Sequence, residues 1–146
     1  MAVSAGDATA ARAIWGKLYA SAEDNGTAAL VKMFINSPDS KSYFGHFSGM
    51  GSAADMEASP QVRNHGRTVF GALNEMMSQV ENDAGLSAII SPLATKHATQ
   101  LKVDSKNFRV LCDQVLAVIN EKYGGEGHDA MSKVLNVICT KIVAAY

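Results

Sequence analysis

The chain has 146 residues, enough for one domain around one core, and its 47% hydrophobic and 18% charged residues are the composition of a soluble globular protein. The formal net charge of -1, with no basic block or run of like charge, excludes an electrostatic footprint for nucleic acid or an anionic membrane. No apolar run reaches the roughly 20 residues that span a bilayer. The N-terminal stretch lacks the basic start and apolar core of a signal peptide, so a cytoplasmic chain is expected.

Almost every segment has helical period. Over residues 8–22, Ala11, Ile14, Trp15, Leu18 and Tyr19 share one face. Asp24-Asn25-Gly26 reads as a break. Residues 27–36 resume the pattern with Leu30, Val31, Met33 and Phe34. Pro38 stops that helix and can open a short one reaching about Tyr43. Residues 43–58 hold three glycines and no sustained period. They read as an ordered loop with short helical turns, whose Phe44 and Phe47 fold inward.

Ser59-Pro60 is a helix start, with serine as cap and proline at the first position. That helix runs to about Val80, and Val62, His65, Val69, Phe70, Leu73, Met76 and Met77 lie on its inner face. Gly66 costs such a helix about 1 kcal/mol relative to alanine. It makes sense if another backbone or a flat ligand passes close by. Residues 81–85 form a turn, and Leu86, Ile89 and Ile90 lead on from it.

Pro92 suits the first turn of a new helix, in which Leu93, His97 and Leu101 fall on one stripe. Asp104 can cap the next helix, which runs to Tyr123 and ends at Gly124-Gly125. The last helix covers about 127–145 and buries Met131, Val134, Leu135, Ile138, Cys139 and Ile142. No strand, hairpin, repeat or linker signal is present. The two cysteines, Cys112 and Cys139, sit on apolar stripes and read as small buried hydrophobes.

His65 and His97 each occupy an inward helical face, with a turn between their helices. Either they are separate core histidines bonded to backbone, or their rings face a shared space. Several metal chemistries are excluded by motif. There is no His-Glu-x-x-His, no Glu-x-x-His, no close cysteine pair and no Gly-rich phosphate loop. No cysteine or serine nucleophile sits beside a histidine in a recognisable motif. What remains is a cofactor that brings most of its own ligands and takes one axial imidazole, a description that fits haem.

The chain resembles the globin family over essentially its whole length. The resemblance is carried by Trp15, by Pro38 followed by Tyr43-Phe44, and by Phe47. It continues through His65-Gly66 and Val69, Leu93-x-x-x-His97, Leu101-Lys102-Val103-Asp104, Asn107-Phe108 and the final Tyr146. Within the family the chain is most similar to cytoglobin and globin Y, with haemoglobin- and myoglobin-like stretches. Ala22 and Arg67 stand where cytoglobin has its cysteine pair.

The resemblance implies one all-α globin domain over 1–146, with seven or eight helices around one haem b. His97 would be the proximal iron ligand, flanked by Leu93 and Leu101. His65 would be the distal residue, donating to bound dioxygen or taking the sixth position itself. Leu30 and Val69 would fill the distal wall. Phe44 and Phe47 would pack against the porphyrin, and His46 and Lys102 would meet its propionates. Val103, Asn107, Phe108 and Ile138 would line the inner edge. Reversible binding of O2, with CO and NO as further ligands, is then the expected function, for storage or transport and not catalysis. A nitric oxide dioxygenase, nitrite reductase or redox sensor is the alternative. Homo- or hetero-oligomers with other globin chains fit the family.

Overall fold

Seven α-helices make up most of the computed structural model, which describes residues 3–43, 51–101 and 103–146. In chain order they are α1 (Ala5–Tyr19), α2 (Ala22–Asn36), α3 (Ala53–Ala58), α4 (Pro60–Ser78), α5 (Asp83–Lys96), α6 (Lys106–Tyr123) and α7 (His128–Ala144). A 3-10 turn, Pro38–Tyr43, follows α2, and a π-helical turn, His97–Leu101, follows α5. No strand occurs among the described residues. None of their helices is long and apolar enough to cross a membrane.

Local chemistry explains most of the boundaries. Ser4, Ser52, Ser59 and Asn82 each accept a hydrogen bond from a first-turn amide of α1, α3, α4 and α5, at 3.1–3.4 Å. Pro60 occupies the start of α4 as expected. α6 ends at Gly124, whose φ of 62° is left-handed and costs glycine little. Asp104 lies just ahead of α6, and its carboxylate accepts from the Lys106 amide at 3.1 Å.

Two elements depart from the sequence expectation. Asp24-Asn25-Gly26 does not break a helix, since all three residues lie inside α2. The break falls at Ala20-Ser21 instead. The Asn25 side chain donates to the Leu18 carbonyl at 2.8 Å, and Lys122 of α6 donates to the Asn25 carboxamide oxygen. A residue that favours turns by bonding its own backbone thus serves the end of α1 and a distant helix. Pro92 does not open a helix either. It sits inside α5, whose start is Asp83. Pro92 and Ser91 are exposed, so the lost backbone bond faces water.

α2 crosses α4 with their backbones in close approach at Gly26 and Gly66. A Cβ built on Gly26 would lie 2.7 Å from the Gly66 carbonyl carbon, and one on Gly66 would lie 2.7 Å from the Thr27 amide nitrogen. Gly66 therefore meets another backbone, the first of its two anticipated neighbours. α1 and α6 flank α7, and α6 also packs on α2. The main core gathers Trp15, Leu18, Phe70, Leu86, Ile90, Val115, Ile119, Met131, Leu135 and Ile138. A smaller cluster of Leu30, Val31, Met33, Phe34, Met56 and Val62 joins α2 to α3 and α4.

Trp15 anchors the main core, its ring centroid 4.9 Å from that of Phe70. Its indole N–H donates to the Asn74 carboxamide oxygen at 3.0 Å. Replacing Trp15 with phenylalanine should cost about 2 kcal/mol, from lost contact area and an unpaired Asn74 oxygen. The urea midpoint should fall with little change in slope. An unchanged midpoint would mean that the indole bond contributes nothing.

Candidate functional site

The helices enclose a cavity of about 430 Å³. α2 contributes Leu30 and Met33, and the 3-10 turn contributes Ser40 and Tyr43. α4 contributes Gln61, Asn64, His65 and Val69. The other side is formed by His97 on the π-helical turn, Val103 in the corner, and Asn107, Phe108 and Leu111 on α6. Helix period explains this sharing. His65 and Val69 are four apart on α4, and Asn107 and Leu111 are four apart on α6, so each pair projects from one stripe.

His97 is held from several directions. Its Nδ1 lies 2.7 Å from the Leu93 carbonyl oxygen. A carbonyl only accepts, so Nδ1 carries the proton, and the neutral ring then has its lone pair on Nε2. The Phe108 ring meets the imidazole edge to face, with centroids 5.2 Å apart. Tyr146 meets Phe108 in the same way at 5.8 Å. The Tyr146 hydroxyl donates to the Val103 carbonyl at 2.7 Å, and the Val103 amide donates back to the His97 carbonyl at 2.9 Å. These contacts close a ring around the histidine. Burial pushes the Tyr146 phenol up, with Asp104 and Tyr43 adding to the rise, so it remains a donor across the physiological range.

The α4 side is braced by charge. Arg63, two residues before His65, donates to Glu23 at 2.9 Å and to Asp24, both on α2. Those carboxylates raise the Arg63 guanidinium further above its ordinary range. Arg67 approaches Glu23 at 3.5 Å. The ion pairs are partly exposed and worth little each, but they fix α4 to α2 on either side of His65. At the rim, the Tyr43 hydroxyl accepts from the Asp104 amide at 3.3 Å.

The structure thus brings seven of the anticipated site residues to one cavity: Leu30, His65, Val69, His97, Val103, Asn107 and Phe108. Leu93 touches it only through its carbonyl bond to His97. Ile138 is fully buried in the main core and is not among the lining residues. Phe44, His46, Phe47 and Lys102 lie outside the described residues, as does the Leu101 side chain. Sequence reading missed Met33, Ser40, Tyr43, Gln61, Asn64 and Leu111 as lining residues. Leu111 was open to it, being one turn from Asn107, and so was Gln61, one turn before His65. Ser40 gave no signal. His128 opens α7 half-buried, with Nδ1 3.1 Å from the Asn120 carboxamide oxygen.

The profile of the Globin family matches residues 27–142. The chain belongs to the globin family. Among curated relatives it is 34% identical to cytoglobin-1 of Oryzias latipes over 136 residues, which cover 90% of this chain and 77% of that protein. It is 31% identical to cytoglobin-2 of Danio rerio, covering 90% and 76%. Haemoglobin subunit alpha-C of Aquarana catesbeiana is 33% identical over 150 residues, covering 100% and 99%. The fold is accordingly the all-α globin fold, and membership carries haem-based gas binding.

The residues of this globin fit a haem. The cavity is mostly apolar, as a porphyrin requires. Among the described residues two imidazoles line it, one from α4 and one from the turn after α5. His97 already holds the tautomer that leaves Nε2 as a ligand, with its other nitrogen tied to a carbonyl. Among the described residues no three His, Cys, Asp or Glu side chains gather to hold a bare metal ion. One imidazole suffices when four ligands come from a macrocycle.

Proposed function

We propose that this globin binds dioxygen reversibly at a ferrous haem b, for storage or transport. The observation that carries the reading is the His97 imidazole, locked in the Nδ1–H tautomer, in the same apolar cavity as His65. When bound, haem would supply an iron that takes an imidazole from the protein and a diatomic gas. His97 Nε2 would hold the iron, while Leu93 and Phe108 keep its ring in place. Leu30 and Val69 limit the size of what enters and exclude water. His65 offers an N–H to the gas, which favours dioxygen over the less polarised carbon monoxide. The reading extends to a cytoplasmic protein that also takes carbon monoxide and nitric oxide, alone or beside other globin chains.

Replacing His65 with leucine tests the distal role. A hydrogen bond with charged character contributes about 1.5–3 kcal/mol, so oxygen affinity should fall roughly 10- to 150-fold. Faster oxygen release and faster oxidation should accompany the change. Stopped-flow release of oxygen measures it directly, and an unchanged rate would refute the assignment.

The second reading is a nitric oxide dioxygenase, nitrite reductase or redox sensor in which His65 takes the sixth position. The similarity to two cytoglobins and the single cavity shared by both histidines support it. The visible spectrum of the dithionite-reduced protein without added ligand separates the two. One broad band means an open sixth position and favours oxygen binding. Two sharp bands mean that His65 fills it.

A further inference from the structure

Cys112 and Cys139 stand 27 residues apart in sequence, and the fold brings them together. α6 and α7 run antiparallel, and two contacts outside the cysteines set their register. Near the turn, the His128 ring lies 3.1 Å from the Asn120 carboxamide oxygen. At the far end, the Phe108 and Tyr146 rings meet at 5.8 Å. Cys112 is four residues along α6 from Phe108, on the same face, and Cys139 is seven residues before Tyr146, which lies just past the end of α7. Both cysteines therefore fall between the two contacts, at the same level of the α6–α7 packing, and each thiol is the other's main titratable neighbour.

Both cysteines are free, and only 5% and 1% exposed. The core cluster that holds them also includes Val115, Ile138 and Ile142, and the charges of Arg109 and Asp113 reach both thiols. A thiol is a weak donor and a weak acceptor, so each is the other's natural partner there. The hydrogen bond to Cys139, together with burial, pushes the Cys112 thiol well above its ordinary range. The same bond lets Cys139 release its proton ahead of Cys112. Small unbranched side chains facing each other across packed helices can close a disulfide by side-chain rotation and a slight approach of the backbones.

We propose that Cys112 and Cys139 form a two-electron thiol–disulfide site in the α6–α7 core, closed by hydrogen peroxide. One thiol attacks the peroxide oxygen, the O–O bond breaks, and a sulfenic acid and one water result. The second thiol attacks that sulfur, the S–S bond forms, and the hydroxyl leaves as a second water. Two thiols are oxidised by two electrons and one peroxide is reduced. The closed form ties α6 to α7 one turn from Phe108, the ring that meets His97. The inference does not rest on the haem reading, since neither sulfur takes part in it.

The test treats the folded protein with millimolar hydrogen peroxide, then blocks remaining thiols with iodoacetamide in denaturant. After trypsin digestion, the site predicts a linked pair of peptides, 110–122 with 134–141, in protein that runs as a monomer. Dithiothreitol should separate the pair. In Cys112→Ala and Cys139→Ala the linked pair should be absent. The wild-type peptide result decides the question even if neither variant folds. Two alkylated cysteines after peroxide treatment overturn the proposal. So does a link that appears only when the chain is unfolded before oxidation, or one that joins two copies.

Discussion

Replacing His97 with alanine is expected to abolish stable haem attachment while leaving the fold intact. The imidazole is the one ligand that the protein would supply from the α5 side of the cavity. Loss of groups that merely orient a metal ligand costs 10–100-fold in affinity, so loss of the ligand itself should cost at least about 100-fold. The variant should pass gel filtration with little or no Soret absorbance, where the parent protein retains it. Folding should suffer only mildly. His97 is half-buried and its Nδ1 makes one bond to Leu93, a contribution of about 1 kcal/mol.

Free imidazole sharpens this result. Alanine leaves a space of about the size of the ring it replaced, walled by Phe108 and the Leu93 turn. Imidazole added to the variant should enter that space and restore the haem band. A variant that keeps haem without imidazole, with an unchanged spectrum, would show that iron is not held by His97. Tight binding through His65 alone would appear instead as an altered spectrum that is lost in His65→Leu/His97→Ala.

Much of this molecule was readable from local pattern. The serine before Pro60, the apolar stripe of α4 and the Gly124-Gly125 stop of α6 are short-range signals with short-range causes, and the structure has them where the sequence put them. The misreadings at Asp24-Asn25-Gly26 and Pro92 share another cause. Local propensity says turn or start at both, yet neither residue acts locally. Asn25 satisfies the last turn of α1 and binds Lys122 97 positions away, and Gly26 is required by Gly66. α5 already has its cap at Asn82, ten positions before the proline. The site divides in the same way. The two histidines and their stripe neighbours could be named, because helix period places them. Ser40 could not, since its place in the wall depends on how the 3-10 turn packs. The meeting of Cys112 with Cys139 depends on the register between helices, which period alone does not encode.

Gly26→Ala should be among the most damaging single-methyl additions in this chain. A new Cβ would lie 2.7 Å from the Gly66 carbonyl carbon, inside van der Waals contact, and the atoms it meets are backbone that cannot rotate away. Relief requires α2 and α4 to separate. That separation would loosen Leu30, Val31 and Val62 and expose apolar surface in the smaller core cluster. Overpacking of this kind costs about 3 kcal/mol, offset only slightly by the better helix propensity of alanine. For a chain of this length the thermal midpoint should drop by roughly 10 °C, as read by far-UV circular dichroism. Gly66→Ala should behave alike, because its Cβ would meet the Thr27 amide nitrogen at 2.7 Å. The double variant should cost less than the two effects added, since one separation of the helices accommodates both methyls. Gly71, on the same helix α4, is the control. Nothing lies within 4 Å of a Cβ built there, so Gly71→Ala should be neutral or stabilising by up to about 1 kcal/mol. If all three variants melt together with the parent protein, the close crossing is wrong. If Gly26→Ala and Gly66→Ala fall while Gly71→Ala does not, the crossing sets the position of α4, and with it the place of His65 in the cavity.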